Sequence, residues 1–218
     1  MKIIDEVINS EVNYPLERLT KNISDILFID IETTGLSPKT SVLYLIGCAY
    51  RKDDEWHLRQ WFANEKNEEF DILKSFMSFA RDYKVLIHFN GNRFDLPFLK
   101  FKCDKVNMTD VLDNMESVDI YKRVAPYKNV FGIPDCKQKT IELFLGIDRQ
   151  DEYNGGELIE VYRRYLDKPS DKLYNLLLLH NADDVRGMFS LMPALIYNDL
   201  FESLRDSSIV LFRTDAPE

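Results

Sequence analysis

The apolar positions fall into short unbroken runs in the first half of the chain and into helical stripes in the second. Asp25-Ile26-Leu27-Phe28-Ile29-Asp30-Ile31-Glu32 is an apolar run ending in acids and followed by Thr33-Thr34-Gly35, which predicts a buried strand and a tight turn. Val42 to Tyr50 and Trp56 to Phe62 predict two further strands, joined as a hairpin through Arg51-Lys52-Asp53-Asp54-Glu55. Asn67 to Tyr83 places Phe70, Leu73, Phe76, Met77 and Ala80 at helical spacing, with acids in its first turn. Val85 to Phe89 reads as a buried strand, and a helix begins near Asp95 with Pro97 tolerated in its first turn.

Residues 122–139 contain Pro126, Gly132 and Pro134 and predict an irregular loop. Helices are expected near Lys139–Leu145, Glu157–Leu166 and Asp171–Tyr197, the last capped by Ser170. Strands that come first and then alternate with helices imply an α/β fold with a mixed central sheet, partly antiparallel through the hairpin and flanked by helices. Residues 1–22 read as a polar lead-in with a short amphipathic stretch around Leu16–Leu19, 23–200 as one domain, and 201–218 as a C-terminal tail.

Composition narrows the class. The chain has 218 residues, 45% hydrophobic and 30% charged, which excludes disordered and fibrous architectures. No apolar run reaches the roughly 18–20 residues of a membrane span, and the N-terminus lacks a secretory leader. Cys48, Cys103 and Cys136 are odd in number and form no CxxC pair, which points to a reducing, cytoplasmic setting rather than a disulfide framework or zinc site. The net charge, 28 − 37 = −9, argues against a protein that coats long nucleic acid. Contact with a polyanion would have to be local.

Asp30 and Glu32 lie two apart on a strand and share a face. Close carboxylates repel, and a hard divalent cation relieves that conflict; the alternative is a solvated strand end. Asp95 opens a helix, where it serves either as an N-cap or as a functional acid. Leu177, His180, Asp184, Met188, Leu191 and Leu195 form one helical stripe, so a histidine and an aspartate four apart occupy an otherwise apolar line. An acid there needs an ion-pair partner or a metal. Asp183 falls on a more polar face with Arg186 and Ser190. Taken together, Asp30, Glu32, Asp95 and Asp184 have the makeup to hold two divalent cations, Mg²⁺ or Mn²⁺, about 3.5–4 Å apart.

Phe28-Ile29-Asp30-Ile31-Glu32-Thr33-Thr34-Gly35-Leu36 resembles the first motif of the DEDD superfamily of ribonuclease-H-like exonucleases. Asn90-Gly91-Asn92-Arg93-Phe94-Asp95-Leu96-Pro97-Phe98-Leu99 resembles the second, and His180-Asn181-Ala182-Asp183-Asp184-Val185 the third. The arrangement is most similar to the YprB-like branch, which also matches Lys137 to Glu142, Gly146-Ile147-Asp148-Arg149, and Gly155-Gly156-Glu157 to Tyr165. The resemblance implies a ribonuclease-H-like fold and a metal-dependent 3′-5′ exonuclease acting on the end of single-stranded DNA or RNA. It implies that Asp30, Glu32 and Asp184 hold one metal and that Asp30 bridges to a second supported by Asp95. By the same resemblance Thr33, Gly35 and Leu36 would meet the terminal nucleotide, Leu36 as a wedge against a base, the alternative being an ordinary tight turn with an anchoring leucine; Asn90 would touch the nucleotide or else cap its turn. The superfamily carries tyrosine four residues before the last aspartate or histidine five before it. Here Leu179 occupies the latter place and His180 the former, where an imidazole would orient or deprotonate the water.

Lys122, Arg123, Lys128, Lys137 and Lys139, interleaved with Tyr121, Tyr127 and Phe131, form a basic and aromatic segment suited to a single strand. It reads equally as a solvated surface loop. Two other functions compete. One is a non-catalytic nucleic-acid-binding or scaffold module on the same fold. The other is a haloacid-dehalogenase-type phosphohydrolase using Asp30 as nucleophile, although that family's motif has aspartate where Glu32 stands.

Overall fold

In a computed structural model that describes residues 1–147, 153 and 155–213, the apolar runs become adjacent strands. The elements in chain order are β1 (Lys2–Ile8), β2 (Ile26–Thr33), β3 (Leu43–Lys52), β4 (Glu55–Phe62), α1 (Glu69–Ala80), β5 (Val85–His88), α2 (Asp95–Lys105) and β6 (Glu116–Asp119). They are followed by α3 (Ile120–Val124), α4 (Lys128–Phe131), α5 (Gln138–Phe144), α6 (Gly155–Asp167), α7 (Asp171–Leu191) and α8 (Leu195–Arg213). Six strands form one sheet in the order β1-β4-β3-β2-β5-β6. β1 to β2 are antiparallel across that order, whereas β5 joins β2, and β6 joins β5, in parallel. The expected mixed sheet with an antiparallel hairpin is present, with Asp53 and Asp54 both at positive φ in the two-residue turn that the right-handed strand twist favours.

β2 lies at the centre and is covered on both faces, so its sequence is apolar almost throughout. Leu27, Ile29 and Ile31 pack into one core with α1, α2 and α6. Ile26 and Phe28 pack into the other, where Phe28 meets Phe189 of α7 at 4.7 Å between ring centroids. The period of two then puts Asp30 and Glu32 on the Phe28 face, under α7. Because β2 has an antiparallel neighbour on one side and a parallel one on the other, its C-terminal end borders the crevice where α/β sheets hold ligands.

Several elements depart from the sequence expectations. A strand, β1, lies within the segment read as a lead-in. It sits at the sheet edge with Ile3 and Val7 exposed, so no buried face imposes a readable alternation, and cross-strand pairs such as Asp5–Arg59 hold it. β6 carries one core residue, Val118, and forms through parallel pairing with β5. Residues 122–139 are not an irregular loop. Asp119 caps α3 by accepting from the Lys122 N–H, Pro126 starts a 3₁₀ turn, and Gly132 at φ +65° ends α4. The last predicted helix is split at Pro193, whose missing N–H ends α7 in a 3₁₀ turn, and α8 then runs through the residues read as a tail as far as Arg213. Asp148, Arg149 and 214–218 lie outside the described residues. No helix among the described residues is long and apolar enough to cross a membrane.

Candidate active site

Three elements bring the predicted acids together: the end of β2 carries Asp30 and Glu32, the start of α2 carries Asp95, and the middle of α7 carries Asp184. Asp95 is not the cap of its helix. Phe94 occupies the cap position, Asp95 is the first helical residue, and its Oδ1 accepts the Ile31 N–H at 3.3 Å. That bond ties the start of α2 to the C-terminal end of β2 and leaves the carboxylate, 6% exposed, beside Asp30.

Burial, then the charges of Asp184, Glu32 and Asp95, push the Asp30 carboxyl well above the usual carboxylate range, against a smaller lowering by Asn181. Asp95 is pushed up to about 7, chiefly by burial, with Asp119 and Asp184 adding repulsion to the bonds from backbone N–H groups that oppose it. All four acids thus converge on one place. Leu177, His180, Met188 and Leu191 of the α7 stripe are buried and Asp184 half-buried, and His180 turns its Nε2 into the same cluster, 3.2 Å from Asp184 Oδ2 and 3.6 Å from Glu32 Oε1. Ligand atoms of Glu32, His180 and Asp184 all lie within 4.8 Å of one another. Asp183 lies 3.9 Å from Arg186, which also pairs with Glu6 of β1 at 2.6 Å.

The residue that fixes Asp30 escaped the sequence reading. Asn181, fully buried, donates from Nδ2 to Asp30 Oδ2 at 2.8 Å and to the Asp30 carbonyl at 3.3 Å. Its Oδ1 accepts from Gln60 Nε2 at 2.8 Å, and Gln60 also donates to the Leu178 carbonyl at 2.9 Å. This relay crosses the sheet at Gly47, where a Cβ would stand 1.9 Å from Asn181 Oδ1. A glycine inside an apolar strand is the signal that was available, since it marks a close approach. A second support lies on the other side of α7. Gln138 donates to the Asp184 carbonyl at 2.8 Å and to Glu142 Oε1 at 3.0 Å, and Gly187 leaves the room for them.

The turn after β2 is braced from beneath. Thr33 Oγ1 donates to the Gly35 carbonyl at 2.8 Å, and Thr34 Oγ1 accepts from the Val42 N–H. Lys102, 2% exposed, donates to the Ser41 carbonyl at 2.6 Å and pairs with Glu69 at 2.7 Å; Glu69 also receives the Leu43 N–H. On this frame Leu36 projects into solvent, 84% exposed, at the rim of the cleft containing Asp30. Asn90 lines the same cleft at φ +60°, its N–H donating to Asp119 Oδ1 at 2.9 Å. His88 Nδ1 accepts the Gly91 N–H at 3.0 Å and so holds the same turn.

The basic and aromatic segment divides. Tyr121 and Lys137 line the cleft. Tyr127 and Phe131 do not: they pack against Phe201 and Tyr197 of α8, with ring centroids 5.0 and 5.1 Å apart.

A family model described as the RNase_H superfamily matches residues 27–196, from β2 into the start of α8. No curated protein matches the chain by sequence. Among solved structures, the family B DNA polymerase of the archaeon Pyrobaculum calidifontis superposes with a TM-score of 0.62 at 16% identity, covering 78% of this chain and 24% of the polymerase. A product-bound exonuclease I and the E. coli exonuclease I complex with a dT13 oligonucleotide each give a TM-score of 0.47 at 12% identity. Each covers 71% of this chain, and 46% and 43% of the respective exonuclease chains. The chain therefore spans about a quarter of the polymerase and less than half of the exonucleases, and the likeness to the polymerase is one of fold.

Proposed function

Since the chain belongs to the RNase_H superfamily, we propose that it is a metal-dependent nuclease that removes nucleotides from the 3′ end of single-stranded DNA or RNA. The observation that carries this reading is the convergence of Asp30, Glu32, Asp95 and Asp184, with Asp30 raised by burial and then by the charges of the other three. The site fits divalent cations: its donors are hard carboxylate oxygens, and the mutual repulsion they suffer is what a cation relieves. Asp30, Glu32 and Asp184 would hold one ion, with Asp30 and Asp95 reaching a second. Bound there, Mg²⁺ or Mn²⁺ supplies the Lewis acidity for water attack and for charge developing on the phosphodiester.

The chain's own groups prepare that chemistry. Asn181 orients one Asp30 oxygen, and the Ile31 N–H orients Asp95. Leu36 and Asn90, both lining the cleft, would contact the terminal nucleotide, and Lys137 would meet a backbone phosphate. Such local contact reconciles a nucleic-acid substrate with a net charge of −9. The test uses an oligonucleotide labelled at its 5′ end and incubated with Mn²⁺. A ladder shortening one nucleotide at a time is expected, and Asp30→Asn should slow it by at least about 10²–10³-fold. Uncut substrate with tight binding would identify a binding module instead, and equal cutting by the variant would assign the activity to a contaminant.

A further inference from the structure

We propose that His180 is itself a ligand of the catalytic cation, completing with Glu32 and Asp184 a site that takes Mn²⁺ in preference to Mg²⁺. This rests on the metal-dependent reading above and goes beyond it in assigning a nitrogen donor and a cation preference.

The geometry points to a ligand rather than to a base for water. His180 Nε2 is directed between two carboxylate oxygens, 3.2 Å from Asp184 Oδ2 and 3.6 Å from Glu32 Oε1, in a side chain only 5% exposed. Adjacent ligands of an octahedral ion, each 2.0–2.2 Å from it, are separated by about 3 Å. His180 Nε2 is therefore already spaced as a neighbour of each carboxylate oxygen, and all three groups offer ligand atoms within 4.8 Å of one another, a spread that side-chain motion can close around one cation. The spacing along α7 makes the same point. His180 and Asp184 are one turn apart on one face, so a single ion meets both without moving the helix. Glu32 reaches the pair from β2, which its two neighbours β3 and β5 and the Asn181 contact from α7 hold in place. An imidazole acting on water would need the same nitrogen turned toward the substrate side of the cluster.

A nitrogen donor changes selectivity. Imidazole binds first-row transition ions far better than Mg²⁺, which prefers oxygen ligands. Mn²⁺ shares the carboxylate preference of Mg²⁺ while accepting nitrogen, so a site of two or three carboxylates and one imidazole favours Mn²⁺.

The experiment is electron spin-echo spectroscopy of the full chain loaded with Mn²⁺ alone. The wild-type spectrum should show ¹⁴N modulation that converts to the ¹⁵N pattern when the protein is grown with ¹⁵N-histidine. His180→Ala should lose it, while His57→Gln, remote from the cluster, should keep it. Calorimetric titration should give Mn²⁺ at least about tenfold tighter than Mg²⁺, the ratio collapsing in His180→Ala. Mn²⁺ bound without nitrogen modulation overturns the ligand assignment and leaves the carboxylate site intact, as does modulation that persists in His180→Ala. If no Mn²⁺ binds at all, the metal-dependent reading itself has failed. Isotope labelling of the wild type keeps the proposal falsifiable should the alanine variant not fold.

Discussion

At the scale of single residues, the site depends on a few buried polar contacts. Asn181 is fully enclosed, so its amide can donate to Asp30 only if Gln60 and Gly47 are in place. Supporting partners of this kind typically contribute 10–100-fold to metal affinity. Asn181→Leu, similar in volume but without the donor, is expected to weaken Mn²⁺ binding by about that factor, read by calorimetry. Gly47→Ala inserts a methyl where Asn181 Oδ1 already stands. It should lower stability by about 1–3 kcal/mol in urea unfolding and impair the same metal binding. A Gly47→Ala protein as stable as the parent would show that the relay is loose. The acids of this cluster were legible from sequence because an Asp-x-Glu on an apolar strand and an acid in an apolar helical stripe are conflicts that stand out. Asn181 was not, because an amide beside a catalytic-looking histidine carries no such conflict.

At the scale of elements, what matters is which secondary structure holds which rim. The turn after β2 is supported by the Glu69–Lys102 pair, which joins α1 to α2 and fixes Ser41 and Leu43. Removing one partner of a buried pair leaves an uncompensated charge and costs about 3–5 kcal/mol. Lys102→Met should therefore lose stability on that scale, and Lys102→Met/Glu69→Gln together should recover much of it, measured as the change in unfolding midpoint. Strong periodicity made β2, β3, β4, α1 and α7 readable. β1, β6 and the short helices α3 and α4 were obscure for one shared reason: each is held by pairing, a cap or a neighbour rather than by an apolar pattern of its own.

For the whole molecule, charge concentrated at one point couples folding to pH and to metal. In metal-free protein Asp30 and Asp95 bind their protons more tightly folded than unfolded, Asp95 at about 7. The folded state therefore binds more protons, and stability falls as pH rises from the ordinary carboxylate range, about 4, through about 7, where Asp95 loses its proton, with Asp30 acting in the same direction. Thermal unfolding in chelator should show a higher midpoint near pH 5 than near pH 8. Saturating Mn²⁺, which binds the ionised site, should raise the midpoint most at pH 8 and remove the slope. A chelated protein more stable at pH 8 would contradict the enclosure of these acids.

The chain by itself determined the class of fold, the central strand, the hairpin and the long helix, because apolar periodicity is a local property and survives without knowledge of neighbours. It also determined which acids were candidates, since a charge placed in an apolar pattern is visible along one dimension. Only the tertiary structure decided that Asp95 serves the strand rather than capping its helix, that Tyr127 and Phe131 pack against α8, and that His180 points at two carboxylates. Those outcomes depend on distances between segments 50 to 150 positions apart, and nothing in local patterning encodes which buried polar atom will meet which.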